Sequence, residues 1–503
     1  MKAAHIWIGL LLLLAIAMRV EHRYFYRNFF PDTQAQLAAA DSWLKGGDFA
    51  ICEADTSAPE GIGSHSMRTF PPGYSLLVYL VYLLLHDWIS AAFWIDALAV
   101  AALLCGMLVW LRRLGTPPVG QIVWLIFAAC APAPFHFMAA SDLISAALFV
   151  WSLAFLTRER WEKLSSWLPA IVCLAAALWI RPAYLPALGI VPLYLFFRKN
   201  EDGKRHIGVA AVALLVCGLA VVLFWVLNWR SDTLLGQTKP GFYPQNLLHA
   251  DVFLLKSFFY YGIPHEQQIS ERMPALYPVF KAVSFLLNGL LMAALVWAVL
   301  GSRRARASGF SLLLVLSAGW TLGMLALLSL VWPADTWNWI SYWTFLMETR
   351  YYAPLQLLAL ALLWSAAFSG SGQRVAKMIR IWILCATALN MLWPVYMHVN
   401  LLRQGRLNAS FPEQHWPETL EAIRTWKADH PGRTLLFQEP NGGQVAAIAG
   451  ACILPQSIPA RCNESFDSQE ITLMYKGLKS DDPPPGEVYA AWGDVVLYLI
   501  ECE

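Results

Sequence analysis

Residues 164–198 read LSSWLPAIVCLAAALWIRPAYLPALGIVPLYLFFR, two apolar runs set back to back with one charge, Arg181, where they meet. Each run, near 165–180 and 183–197, approaches the roughly 20 residues that carry a helix across about 30 Å of hydrocarbon. A connection of one or two residues can only turn the chain straight back, so the stretch reads as two antiparallel spans. Pro182 suits the first position of the second helix, where its missing N–H is not needed.

The same reading extends outward. Apolar stretches fall near 4–20, 72–111, 119–138, 142–157, 165–180, 183–197, 207–229, 277–299, 308–332, 351–368 and 379–398. His86-Asp87 interrupts the second, so PPGYSLLVYLVYLLL reads as an outer-face or partly inserted helix feeding a true span at about 88–111. That gives about 11 crossings. The fold class expected is an all-α polytopic membrane protein with a small C-terminal α/β extramembrane domain. Composition agrees: 58% of the 503 residues are hydrophobic and 14% charged, against about a quarter charged in soluble chains. A net charge of +2 excludes a nucleic-acid partner, which needs a concentrated basic face. Cys105, Cys130, Cys173, Cys217 and Cys385 lie in apolar runs as small hydrophobes. Cys52, Cys452, Cys462 and Cys502 lie outside them, with any disulfide unassigned.

Charge sets the sides. The short connections 112–118, 158–164, 198–206, 300–308 and 369–380 are dense in Lys and Arg, and the long ones, 21–71, 230–276 and 333–350, are sparse. The positive-inside bias therefore places the short loops in the cytoplasm and the long ones outside. Arg19, Arg23 and Arg27, after the first span, run against this assignment, and the summed loops outvote them. Lys2, the leucine run and AIA before Met18 also resemble a secretory signal, the alternative to a retained first span. Residues 1–401 form the multi-span domain. Residues 402–503 change character, with a helix expected at about 417–429, a strand TLLF and a strand-like run in EVYAAWGDVVLYLIECE, and read as an extracytoplasmic α/β domain.

Ionisable groups at membrane depth cost on the order of 2.5–3.5 kcal/mol on insertion scales, so those at the outer ends of spans are informative. Asp32, after Phe29-Phe30-Pro31, heads an amphipathic helix expected to run to Leu44 and stop at Gly46-Gly47. It reads as a plain N-cap or as a functional carboxylate. Gln36, Ala39 and Trp43 share its helical face, whereas Asp41 lies about half a turn away and is no acid/base partner for it. Asp142, beside Ser141, is another cap or a second acidic site. Arg181 is a snorkelling charge or an anion contact. Glu348-Thr349-Arg350-Tyr351 opens a late span, with Glu348–Arg350 as a surface pair or Arg350 as an anion contact. Arginine suits phosphate through its fixed fork of donors, and a carboxylate suits removal of a hydroxyl proton. The loop 230–276 adds His249 on the same side.

This layout resembles the GT-C superfamily of integral membrane glycosyltransferases, which includes protein O-mannosyltransferases, the lipid A aminoarabinose transferase and oligosaccharyltransferases. The resemblance rests on Asp32 opening the first outer loop, the proline-rich RTFPPGYSLL, Ser141-Asp142, Arg181-Pro182, and RYYAPLQLLALALL before an outer soluble domain. It implies transfer of a sugar, with inversion, from a polyprenyl-phosphate donor to a hydroxyl of a lipid, glycan or protein acceptor at the extracytoplasmic face of the bilayer. It implies Asp32 as base, Asp142 as the second acidic position, Arg350, Arg181 and Arg68 as donor-phosphate contacts, and Glu348, Tyr351, His249 and His65 as further substrate contacts. Thr33 follows Asp32 where several members carry an acidic pair, and Arg68 stands two residues before the prolines where the lipid A enzymes place a lysine directly ahead of them. The metal assignment and the subfamily therefore stay open: a divalent cation is the one cofactor in question. Three other readings compete, one of them a non-catalytic scaffold whose outer domain binds glycan or peptidoglycan. A secondary transporter or lipid-linked sugar flippase would also be polytopic, although no internal repeat is visible. An O-antigen ligase or polymerase would use similar donors on another fold.

Overall fold

The computed structural model describes residues 2–26, 31–44, 50–54, 62–66, 71–130, 140–158, 163–181, 184–198, 207–229, 353–369, 374–403, 417–431, 434–438, 471–478, 487–492 and 495–501, with a few isolated positions between 275 and 293. Apart from those isolated positions, the expected span at 277–299 lies outside these, as does the one at 308–332. Helices are α1 (Lys2–Tyr26), α2 (Pro31–Leu44), α3 (Gly73–Leu85), α4 (Trp88–Arg113), α5 (Pro118–Cys130), α6 (Ala140–Leu156), α7 (Leu164–Ile180), α8 (Leu185–Phe197), α9 (Ile207–Trp229), α10 (Ala353–Ser369), α11 (Arg374–Arg403) and α12 (Pro417–Asp429). Among the described residues, four stretches are long and apolar enough to cross a membrane: Ala4–Glu21, Ser90–Arg113, Ile207–Phe224 and Arg374–Leu392. Shorter apolar helices stand beside them.

The chain separates into two compact units. The first comprises Met1–Arg19, Ala99–Met138 and Asp142–Leu401. Its core is one apolar cluster in which Trp110, Trp124, Phe127, Phe149, Tyr194 and Trp364 are essentially inaccessible. Small residues let the helices approach. Gly106 leaves room for the Trp151 ring, whose indole N–H donates to Ala102 O at 2.9 Å. Gly120 does the same for Phe368, since a Cβ there would stand 2.7 Å from the ring. Such small-residue contacts are the usual means of helix packing where lipid is as apolar as the side chains.

Arginines fasten one end of this unit. Arg113 donates to Ala154 O near the end of α6, and Arg198 donates to Leu156 O at 2.8 Å and to the Tyr194 hydroxyl at 2.6 Å. Arg158 donates to Ser165 O at 2.9 Å. That carbonyl would otherwise accept from residue 169, but Pro169 has no N–H to give. Arg380 holds Ala367 O at 2.7 Å, and the Ser365 hydroxyl holds Leu114 O at 3.2 Å. The C-terminal ends of α4, α6, α8 and α10 therefore gather with the starts of α5, α7 and α11, and guanidiniums satisfy helix-end carbonyls that have no partner within their own helix. This is the alternation that the short basic connections demand.

The second unit comprises Val20–Leu98, Ala139–Ser141 and Leu402–Glu503. In it, α2 is followed by an antiparallel hairpin of β1 (Ala50–Ala54) and β2 (Ile62–Ser66) in register Ala50↔Ser66 to Ala54↔Ile62. The loop reading of 21–71 did not anticipate this hairpin. The break expected at His86-Asp87 is present. His86 closes α3 in the left-handed region at φ 54°, and Asp87 caps α4 through a 2.7 Å bond from Ser90 N–H. Tyr82 then stacks on Trp88, centroids 4.0 Å apart. Nearer the C-terminus, β3 (Thr434–Gln438), β4 (Ile471–Leu478), β5 (Glu487–Trp492) and β6 (Val495–Glu501) form a sheet of order β3-β4-β6-β5. Among the described strands of this sheet, only β3 and β4 pair in parallel. The tail expected as one strand-like run is two strands, with Trp492 opposite Val495.

Candidate functional site

Asp142 enters the structure in the first turn of α6, and Arg181 is the residue that closes α7. Their side chains meet: Arg181 Nη1 donates to Asp142 Oδ1 at 2.8 Å, with 7% and 5% of the two side chains exposed. At a helix start the carboxylate also has the favourable end of the macrodipole. Tyr184, one turn beyond the break, lies within electrostatic reach of both charges, is 4% exposed and sets its ring 5.9 Å from Phe149. Its backbone N–H returns to Arg181 O at 3.2 Å. Three helix ends are thus locked round one buried ion pair, at the end of the unit opposite the arginine-fastened carbonyls.

The charge on Arg181, which in sequence has no acid nearby, is compensated by a carboxylate from another helix. Breaking such a pair strands a buried charge, a loss of about 3–5 kcal/mol. The bond to Asp142 helps to fix the plane of the guanidinium.

Arg19, one of the three residues at odds with the charge bias, is also explained locally. It is 4% exposed, and its Nε donates to Ala128 O two residues before α5 ends. It acts as a helix-end donor rather than a loop charge.

In the second unit, α2 begins at Pro31, so Asp32 occupies the second helical position instead of the flanking cap position expected from the sequence. A carboxylate in the first turn of a helix is at the favourable end of the macrodipole. The expected end at Leu44 is observed. Two ties fix this helix. The Ser75 hydroxyl of α3 donates to Gln36 O at 2.8 Å, and the Trp88 indole N–H of α4 donates to Asp41 Oδ1 at 3.2 Å. Asp41 is 5% exposed. Its exclusion as a partner for Asp32 is matched by a structural duty elsewhere. Thr33, Leu37, Ala39 and Ala40 of the same helix are also buried.

In the sequence Gln36 stands out only by sharing the helical face of Asp32. It is 0% exposed, and neither its Nε2 nor its Oε1 has a hydrogen-bond partner among the described residues. Leaving one buried polar group unsatisfied costs about 1–3 kcal/mol. No sequence signal distinguishes a satisfied buried glutamine from an unsatisfied one.

His65 lies in β2 opposite Ile51. Arg68, His249, Glu348, Arg350 and Tyr351 lie outside the described residues. Among the described residues, no group of three or more His, Cys, Asp or Glu is placed to hold a metal ion.

No protein-family model and no curated protein matches the chain. Solved structures similar to it include the Archaeoglobus fulgidus oligosaccharyltransferase tethered with an acceptor peptide containing the NVT sequon, at 14% identity and TM-score 0.44 over 88% of this chain. The archaeal oligosaccharyltransferase AglB of that organism, in complex with an inhibitory peptide and a dolichol-phosphate, matches at 11% and 0.41. This chain covers 63% of either archaeal chain. ArnT from Cupriavidus metallidurans, bound to undecaprenyl phosphate, matches at 13% identity and TM-score 0.45, covering 99% of this chain and 98% of that one. Likenesses of this size leave activity to be argued from the residues.

Proposed function

We propose that this chain is a multi-pass membrane glycosyltransferase that moves a sugar from a polyprenyl-phosphate donor to an acceptor hydroxyl at the extracytoplasmic face, with inversion at the anomeric carbon. The observation that carries the reading is the buried Asp142–Arg181 pair at the end of the helices opposite the arginine-rich connections. A polar constellation at that depth suits a lipid phosphate better than a solute passing through the bilayer. The motifs around Asp32, Asp142, Arg181-Pro182 and RYYAPLQLLALALL support the same class.

In this reaction Asp32 accepts the proton of the acceptor hydroxyl as its oxygen attacks the anomeric carbon. The bond from that carbon to the phosphate oxygen breaks on the opposite face, and its electron pair leaves with the polyprenyl phosphate. Arg350, with Arg68 and Arg181, stabilises the charge developing there. Asp142 holds the Arg181 guanidinium in one plane, so that little reorganisation is needed as the charge forms. Glu348, Tyr351, His249 and His65 are candidates for substrate contact.

The deciding experiment incubates membranes containing the full chain with polyprenyl-phosphate sugars of different head groups. Consumption of one sugar with release of polyprenyl phosphate is the expected result. Label that crosses the membrane with no such release identifies a transporter or flippase and ends this reading.

A further inference from the structure

We propose that the Gln36 carboxamide is a binding residue for the hydroxylated ring of the lipid-linked sugar. The inference rests on the reading of Asp32 as part of the transfer machinery. Gln36 follows Asp32 by one helical turn on the same face of α2. Its position is set by its backbone, through the bond from Ser75, and by the Trp88–Asp41 tie further along the helix. The side chain contributes nothing to these ties. It is nonetheless wholly enclosed, with its donor and its acceptor both unmatched among the described residues.

A leucine or methionine would fill a similar volume without burying an amide, so packing alone gives no reason for this residue type. A carboxamide presents two N–H donors and a two-lone-pair oxygen. That pattern matches a hydroxyl, which both gives and accepts, or a neighbouring pair of hydroxyls. It is neutral, so it suits the sugar ring and not the phosphate. A site whose polar groups stay unpaired until a hydroxyl arrives also discriminates strongly against ligands lacking one. A trapped water is the rival occupant, and the variants separate the two.

The test compares the purified full chain with Gln36→Leu, and with Gln36→Met should the leucine variant fail to fold. Thermal stability is read alone, with undecaprenyl phosphate, and with undecaprenyl phosphate carrying glucose, mannose, galactose or aminoarabinose. Half-saturating donor concentration is read for whichever head group is consumed. The expected result is unliganded stability equal to or above wild type, loss of the extra stabilisation that the sugar head gives wild type, and a tenfold or greater rise in half-saturating donor. Sugar-dependent stabilisation and half-saturation unchanged in Gln36→Leu would assign the amide to a structural water and overturn the inference while leaving the transferase reading intact. Wild-type protein that gains no stability from any sugar head and consumes none overturns both.

Discussion

Arg181 Nη1 and Asp142 Oδ1 stand 2.8 Å apart with both side chains almost fully enclosed, joining the end of α7 to the start of α6. Each supplies the other with an opposite charge at close range. Arg181→Gln and Asp142→Asn are each expected to cost up to about 3–5 kcal/mol, because each removes the opposite charge beside a buried one. The double variant recovers most of that loss. Thermal unfolding of the four proteins in detergent gives the coupling energy. Transfer rates on the same four separate the roles of Arg181: a double variant that is stable but inactive assigns it to the phosphate, whereas one that is stable and active leaves it a purely structural ion pair.

Asp32→Asn keeps the shape of the residue and removes its basicity. Transfer is expected to fall 10²- to 10⁴-fold, roughly the contribution of a positioned base, while insertion and thermal stability stay near wild type. Single-turnover sugar transfer measures this, and near-normal turnover removes Asp32 from the mechanism.

Trp88→Phe keeps a ring for Tyr82 to stack on and removes the indole N–H that Asp41 accepts at 3.2 Å. The expected loss is about 1–3 kcal/mol for a carboxylate deprived of one donor in an enclosed setting. Asp41→Asn in the Trp88→Phe background should cost less than the two single effects added, since the pair is one interaction. Additive losses would show that the indole and the carboxylate act independently.

Three glycines should rank by the space around them. Gly120→Ala drives a methyl to 2.7 Å from Phe368 Cγ, at the root of the ring, and 2.7 Å from Thr116 Cγ2, and should cost about 1–3 kcal/mol. Gly106→Ala meets Trp151 and Val150 at 3.1 Å and should cost less. Gly208→Ala meets nothing within 4 Å and should be neutral or slightly stabilising. Melting temperatures in one detergent test the order, and a harmless Gly120→Ala would contradict the close approach of α5 and α10.

His86 holds a left-handed conformation that costs an ordinary residue about 1 kcal/mol and a glycine nothing. His86→Gly should leave stability unchanged or raise it, and His86→Val should lower it, because a β-branched side chain is the least tolerant of positive φ. Equal stability of the two variants would mean that the α3–α4 break does not depend on this conformation.

The apolar runs were legible because a helix in hydrocarbon must satisfy its own backbone and present apolar side chains. That is why the break at His86-Asp87, the turn at Arg181 and the bounds of α7, α9 and α12 could be read close to their observed positions. Local chemistry also made the face of Asp41 legible, since helical angle follows from spacing alone. The β1–β2 hairpin was not, because AICEA and IGSHS carry neither clean alternation nor a short turn between them. The tail resolved into two strands for a related reason: its apolar run continues past Gly493-Asp494, and only the pairing of Trp492 with Val495 shows where the chain turns.

The sequence by itself determined that this is a multi-span helical membrane chain and which ionisable residues stand at the ends of its spans, because span length, hydropathy and helical angle are properties of neighbouring residues. The tertiary structure decided the electrostatic condition of those residues. That Arg181 is neutralised by Asp142, that Arg19 caps α5, that Asp41 serves Trp88 and that Gln36 is enclosed with no match among the described residues all depend on groups distant in the chain. A charge or an amide has no fixed energy until packing chooses its partner and removes its water.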